Sequence, residues 1–195
     1  MEFKYTFLGT LKMIIFLLRT KFVFKNARII RFPIDIRGRK YISVGKGFTT
    51  GFGCRIEAYP ANKKPCLFFG ENFQMNDYVH ITAMENVKIG NNVLLASKIY
   101  ISDCSHGSYA GNENDSSPLS IPKNRKMFSN PVNIEDNVWL GEFVSVLPGV
   151  TIGKGTIVGA NSVVSKSLPP NVIAVGTPAK PIKKFNFDNN KWEKI

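Results

Sequence analysis

The sequence predicts an all-β solenoid, a parallel β-helix of about five coils, and three observations carry that prediction. From Ile134 onward an aliphatic residue returns at every sixth position: Ile134, Leu140, Val146, Ile152, Val158 and Val164. The residue after each is usually small or turn-prone (Gly141, Gly153, Gly159, Ser165), and the residue four on is small or branched (Val138, Val144, Val150, Thr156, Ser162). The same beat runs backwards through Ile89, Leu95 and Ile101, then through Phe69, Met75 and Ile81, with a weaker first set at Val44, Thr50 and Ile56. A period of six is neither the 3.6 of a helix nor the alternation of a two-sided strand. It belongs to a chain that turns a corner every six residues and buries one anchor each time. With ~4.8 Å between stacked strands, about five coils make a prism on the order of 25 Å tall.

The chain divides into a basic N-terminal cap over 1–40, the solenoid over 41–169 and a tail over 170–195. In the cap, Phe3, Phe7, Leu11, Ile14, Ile15, Leu18 and Phe22 recur at three- and four-residue spacing, which predicts an amphipathic helix. Its strongest apolar run, from Met13 to Leu18, is bounded by Lys12 and Arg19. That run is far below the ~20 residues of a spanning helix, and no small-residue cleavage site follows it. Two uses remain open: a lid on the open end of the solenoid, or a cationic interfacial helix that brings the chain to an anionic membrane surface. Within the solenoid, Ile81 and Ile89 are eight apart, so a two-residue insertion separates them, and Lys63-Lys-Pro65 marks a loop. The main break lies between Ile101 and Ile134, where residues 107–131, rich in Ser, Asn, Gly and Pro, predict a protruding loop rooted just after His106. The tail carries Lys180, Lys183, Lys184, Lys191 and Lys194.

Charge narrows the partners. The net charge is +12, and residues 1–40 hold ten cations against Glu2 and Asp35, which places +8 in the first fifth of the chain. A basic surface attracts nucleic acid, anionic lipid or phosphorylated small molecules. No nucleic-acid-binding signature accompanies it, so nucleic acid is excluded as the expected partner. Cys54, Cys66 and Cys104 are odd in number and lack CxxC spacing, which gives neither a disulfide framework nor a metal cluster and fits a reducing cytoplasm.

Histidine scarcity narrows the chemistry. His80 and His106 are the only two, too few for a three-imidazole zinc site. One histidine suffices for an acyltransferase, which needs a general base to take a proton from an acceptor hydroxyl. His106, at the root of the long loop, is the candidate base, with Asp103 as an orienter of its ring or, equally, as a turn cap. Cys104 raises the less favoured alternative of an acyl-cysteine intermediate.

The run 138–155, opening Val138-Trp-Leu-Gly-Glu142, then Val158-Gly-Ala-Asn-Ser-Val-Val-Ser-Lys166, Pro169-Pro-Asn-Val172 and Gly176-Thr-Pro-Ala-Lys180, resembles the C-terminal half of hexapeptide acetyltransferases, which include the galactoside and maltose enzymes. Asn76-Asp-Tyr-Val-His-Ile81, the run Ile101 to Tyr109 and the Lys191-Trp-Glu-Lys-Ile195 ending more closely resemble the O-acetyltransferases of lipopolysaccharide O-antigen synthesis. The resemblance covers roughly residues 40–195 and implies left-handed coiling, acetyl-CoA as acyl donor, no metal, and a homotrimer whose site lies between neighbouring prisms. It implies that His106 is the general base, that Asn76 and, less directly, His80 face the acceptor, and that Trp139 lines the pantetheine channel. For coenzyme A it implies Gly141, Glu142, Ala160, Ser165, Lys166, Lys180 and Lys183, with Lys184 a further candidate and a backbone amide near Gly141 as oxyanion donor. Glu142 and Ser165 depart from the serine and threonine common in the galactoside branch.

The function expected is acetyl-CoA-dependent O-acetylation of a sugar hydroxyl, on a surface polysaccharide or its lipid-linked precursor, in the cytoplasm and at the inner membrane face. N-acylation of an amino sugar is the alternative. A non-catalytic solenoid is the second: an ice binder lacks its flat arrays of outward Thr here, and a scaffold has no use for the loop after His106.

Overall fold

The computed structural model describes residues 6–195. Phe3, the first member of the predicted helical stripe, and Glu2 and Lys4 of the charge balance lie outside the described residues. The body is a three-faced parallel β-solenoid. Its first face stacks Ile34–Arg37, Cys54–Ala58, His80–Ala83, Tyr100–Ser102, Ser145–Val146 and Val163–Val164. The second stacks Ile42–Val44, Leu67–Phe69, Val87–Ile89, Val132–Ile134 and Thr151–Ile152. The third stacks Thr49–Thr50, Gln74–Met75, Leu94–Leu95, Trp139–Leu140, Ile157–Val158 and Val172–Val175.

The six-residue beat becomes vertical columns. On the first face Ile56, Ile81, Ile101, Val146 and Val164 are in register, and on the third Met75, Leu95, Leu140, Val158 and Ala174. All of them are buried, as are the secondary positions Val138, Val144, Val150, Thr156 and Ser162. Coils are joined by backbone hydrogen bonds such as Gly90 N–H to Ile134 C=O and Gly141 N–H to Val158 C=O, both 2.8 Å. Corners take positive φ at Asn72, Asn92, Asn137 and Asn161, a conformation that costs asparagine less than a branched residue. Three of these stack: the Asn72 amide donates to Asn92 Oδ1 (3.3 Å) and that of Asn92 to Asn137 Oδ1 (3.2 Å). At the N-terminal end Phe24, Phe48, Phe69 and Phe73 fill the wider first coils, with Phe48 and Phe73 stacked at 5.6 Å.

The edges of the solenoid differ from the sequence division. Ile34–Arg37 is already a rung, parallel to Cys54–Ala58, and Ile29 bridges to Thr49, so the prism begins well before residue 41. Alternation in Ile34-Asp-Ile-Arg37 makes an ordinary strand, which a search for six-residue anchors passes over. The tail is likewise structured. Val172–Val175 continues the third face, and Lys180–Asn186 and Lys191–Lys194 add an antiparallel hairpin to it. Phe185 packs edge-on against Trp192 at 5.2 Å.

Helix α1 spans Phe7–Val23, and its N-cap Thr6 accepts from the Gly9 amide. It is held on the first coil by Phe16, whose ring meets Phe32 and Phe52 (both 5.8 Å), and by buried Thr20, which accepts from Ile30 N–H at 2.8 Å. The apolar stripe is left in solvent, so it does not serve as the lid that was one of its two open uses: Phe7, Leu11, Ile14, Ile15, Leu18 and Phe22 are all exposed. The end of the prism is filled instead by Phe24, Ala27 and Ile30 from the segment that follows.

Leu140→Ala empties part of a fully buried column. The expected loss is about 2–5 kcal/mol, read from the urea unfolding midpoint, against a change within about 0.5 kcal/mol for Leu119→Ala at a solvent-facing position.

Candidate active site

The two-residue insertion between Ile81 and Ile89 forms the corner at Met84, Glu85 and Asn86. Asp103, fully buried, holds that corner: Oδ1 accepts the Met84 amide, and Oδ2 accepts those of Glu85 and Asn86, all at 2.8 Å. Both carboxylate oxygens are thereby occupied. Of the two roles the sequence left open for Asp103, the geometry is that of the turn cap, and the ring-orienting role that would have made it part of the catalytic pair is corrected. Its backbone carbonyl takes the Asn130 amide (2.8 Å), which pins the far end of the excursion to the same point.

The excursion is an ordered arm. Cys104–His106 pairs antiparallel with Met127–Ser129, setting His106 opposite Met127. The Tyr109 hydroxyl donates to the His106 carbonyl and accepts from Arg125 Nη1 (2.7 Å), while Arg125 also grips Ser120. Gly107 sits at φ +106°, and a Cβ there would lie 2.5 Å from Ser116 Oγ, so only glycine lets the arm fold back on itself. The His106 ring is exposed, and among the described residues neither ring nitrogen has a hydrogen-bond partner.

His106 lines a cavity of about 420 Å³ on the outer surface of the first face, together with Arg37, Arg55, Glu57, Tyr59, Thr82 and Tyr100. Ser102, Cys104 and Met127 complete the side nearest the imidazole. Alternation along each strand sends Ile56 and Ile81 inward, and therefore Arg55, Glu57, His80 and Thr82 outward. Register then aligns Arg37, Glu57, Thr82 and Ser102 in one row and Arg55, His80 and Tyr100 in the next.

Glu57 is the hub of that wall, only 3% exposed. Its Oε1 accepts from Arg37 (2.9 Å), Arg55 (2.7 Å) and the Tyr59 hydroxyl (2.7 Å). Its Oε2 accepts from His80 Nε2 (2.8 Å) and Thr82 Oγ1 (3.3 Å). Burial opposes ionisation, but the hydrogen bonds from Arg55, His80 and Tyr59 and the Arg55 charge outweigh it and hold the carboxyl at about 2. The sequence reading missed this cluster. Its signal was the same-face alternation of Arg55, Glu57 and Tyr59, which needs the register of Arg37 and His80 to become a site. His80 opens the strand His80–Ala83, with its ring tilted against Tyr100 (5.5 Å) behind the cavity wall. Burial pushes the Cys104 thiol above its usual range, which disfavours the thiolate a covalent route needs.

The remaining candidates fall elsewhere. Asn76 is exposed at the corner between the third and first faces, where its carbonyl accepts from the Cys54 thiol (3.1 Å). Trp139, 48% exposed, stands on the outer surface of the third face between Leu94 and Ile157. Gly141, Glu142 and Ala160 follow at that face's edge, with Gly141 so close to the next coil that a Cβ would lie 2.7 Å from Ala160 N. The Gly141 amide is committed to Val158 C=O, so it is not a free oxyanion donor. Ser165 and Lys166 are exposed at the next corner, one short strand on, and Lys180, Lys183 and Lys184 lie on the hairpin beside the third face. One chain therefore gathers His106 with the Glu57 cluster, and Trp139 with Gly141, Glu142 and Ala160, on separate faces. An apolar row beside lysines suits a pantetheine arm and its phosphates. Among the described residues, no group of three or more His, Cys, Asp or Glu side chains is placed to hold a metal ion.

Comparison with known proteins gives this geometry a family. The Bacterial transferase hexapeptide (six repeats) model matches residues 131–166. The chain is 45% identical over 191 residues to the Escherichia coli (strain K12) protein WbbJ, named for O-acetyl transfer in lipopolysaccharide biosynthesis, with 98% of this chain and 96% of that one covered. It belongs to the hexapeptide-repeat acetyltransferases. A galactoside acetyltransferase solved in complex with coenzyme A is 35% identical, at a TM-score of 0.55 over 73% of this chain and 68% of that one. AntD, a Bacillus cereus N-acyltransferase at 21% identity, shares the fold at a TM-score of 0.70 over 88% of this chain and 90% of its own. The chain is thus an acyltransferase with acetyl-CoA as donor.

The depressed Glu57 carboxyl makes stability pH-dependent. Its contribution is complete above the unfolded value near 4.5 and is lost as pH falls through about 2. In urea titrations between pH 6 and 2 the native chain should lose on the order of 1–3 kcal/mol more than Glu57→Gln. Parallel losses in the two proteins would contradict the hub.

Proposed function

We propose that the chain is an O-acetyltransferase that modifies a sugar hydroxyl of a surface polysaccharide or of its lipid-linked precursor. The observation that carries the reading is an unpartnered imidazole, His106, held on a stitched loop root at the wall of a cavity lined by arginine, glutamate and tyrosine side chains. The near full-length similarity to WbbJ supports the choice of substrate class. A cavity walled by arginine, glutamate and tyrosine side chains offers a hydroxylated ring both hydrogen bonds and an aromatic face.

In this reading His106 takes the proton of the acceptor hydroxyl as its oxygen attacks the thioester carbonyl. The tetrahedral adduct collapses with cleavage of the C–S bond, and the imidazolium returns the proton to the departing thiolate. The products are the O-acetyl sugar and free coenzyme A thiol. Proton transfer of this kind contributes ~10²–10⁴-fold, and positioning of hydroxyl against thioester contributes the rest. The separation of His106 from Trp139 on different faces supports a homotrimer, in which one prism supplies the base and its neighbour the donor channel. Free Cys54, Cys66 and Cys104 accord with action in a reducing cytoplasm.

His106→Ala should lower acceptor-dependent thiol release by ~10²–10⁴-fold while leaving thermal unfolding unchanged, since the residue is exposed. Unchanged thiol release with a good acceptor would overturn the assignment. Hydroxyl acceptors should turn over in the same assay and their amino-sugar counterparts should not; the reverse order would replace O- with N-acyl transfer.

A further inference from the structure

Helix α1 is apolar on two opposite sides, and only one of them meets the prism. At 3.6 residues per turn, Phe7, Leu11, Ile14, Ile15, Leu18 and Phe22 fall within about a third of the circumference, opposite Phe16 and Thr20. Exposure across the stripe runs from 46% at Ile15 to 84% at Phe7. Single apolar residues on a surface are ordinary, but a contiguous stripe running nearly the whole length of a helix marks a contact. Lys12 and Arg19 border it on one side and Lys21 on the other. Between residues 6 and 34 the sequence has six cations and no acid. Those flanking cations are anchored: Arg19 lies 4.0 Å from the Phe32 ring centroid, and Lys21 Nζ donates to Ala27 C=O at 2.8 Å. The helix is not long and apolar enough to cross a membrane.

We infer that α1 docks the chain on an anionic lipid bilayer, lying in the plane of the interface with the stripe below the headgroups and Lys12, Arg19 and Lys21 against lipid phosphates. Charge decides between occupants. A second copy packed stripe to stripe would bring the same cations together, with no acid on the helix to pair them. An anionic surface complements every one. Lipid phosphates attract each basic residue near the surface by about 1 kcal/mol, and the buried apolar face adds to that. Phe32 and Phe52, the rings that seat α1, directly precede the strands carrying Arg37, Arg55 and Glu57. Docking therefore brings the cavity end of the prism towards the bilayer, which suits a lipid-linked acceptor; this last consequence rests on the proposed substrate class, whereas docking itself does not.

The test is co-sedimentation of the full chain with vesicles of equimolar phosphatidylglycerol and phosphatidylcholine, and with phosphatidylcholine alone. Binding should be on the order of a hundredfold tighter to the anionic vesicles, should weaken with salt, and should be lost in Leu11→Glu/Leu18→Glu and reduced by at least about tenfold in Lys12→Glu/Arg19→Glu. Molar mass by light scattering and thiol release with a water-soluble acceptor should stay unchanged in both variants, and thermal unfolding should stay unchanged in Leu11→Glu/Leu18→Glu, whose side chains face solvent. Wild-type chain left in the supernatant, or binding retained by Leu11→Glu/Leu18→Glu, would overturn the inference. A fall in molar mass in that variant would also overturn it, because the stripe would then be covered by another copy. Docking that fails while thiol release persists leaves the transferase reading standing.

Discussion

A coil of this solenoid is stable only against another coil. Each edge donates its backbone hydrogen bonds to a neighbour 2.8–3.0 Å away, as from Gly90 to Ile134 and Leu94 to Val138, and each inward residue packs on the one above and below. The constraint is severe because interruption at any corner leaves polar backbone buried without partners. The chain interrupts the ladder on one edge all the same, with an insertion at 84–86 and the arm that leaves after Asp103. The buried Asp103 carboxylate makes both tolerable. It supplies the acceptors that the inserted amides would otherwise lack, and it ties the arm's entry to the same corner.

The same ladder places the chemistry. Because rungs are in register, outward residues from successive coils become neighbours regardless of their distance in sequence. Arg37, Glu57, Thr82 and Ser102 form one such row, and the arm brings His106 beside it. Glu57 holds two arginines, a tyrosine, a histidine and a threonine around one carboxylate, so the cavity wall is fixed by the chain's own contacts. The outward row around Trp139 on another face is built differently, from the apolar side chains of Leu94 and Ile157 on either side of the indole.

Period and anchors were legible in the sequence because burial repeats without exception: from Phe69 to Val164 each six-residue anchor is inside. The place of His106 at the root of the arm was legible for the same reason, since a break in a strict repeat stands out. The Glu57 cluster was not, because insertions in the early coils put Arg37, Glu57 and Thr82 at spacings of 20 and 25 rather than a constant repeat. For Asp103 the sequence left two roles open, ring orienter and turn cap, because the amides that decide for the cap lie seventeen to nineteen residues back. In α1 the periodicity marked an apolar stripe correctly and said nothing of which face packs. Phe16 and Thr20, two residues outside the stripe, decide that.

The central claim is that the site exists where the ladder is broken, and that Asp103 acts as a positioning residue through the corner it clamps. Asp103→Asn tests it, since an amide nitrogen in place of one carboxylate oxygen cannot accept the backbone N–H groups which that oxygen holds. Hydrogen exchange and steady-state kinetics on the same variant give the answer together. Protection should fall within Met84, Glu85 and Asn86 and in the Cys104–His106 segment, and turnover with a saturating acceptor should drop while the KM for acetyl-CoA holds. Native protection at that corner, or full turnover despite its loss, would contradict the account.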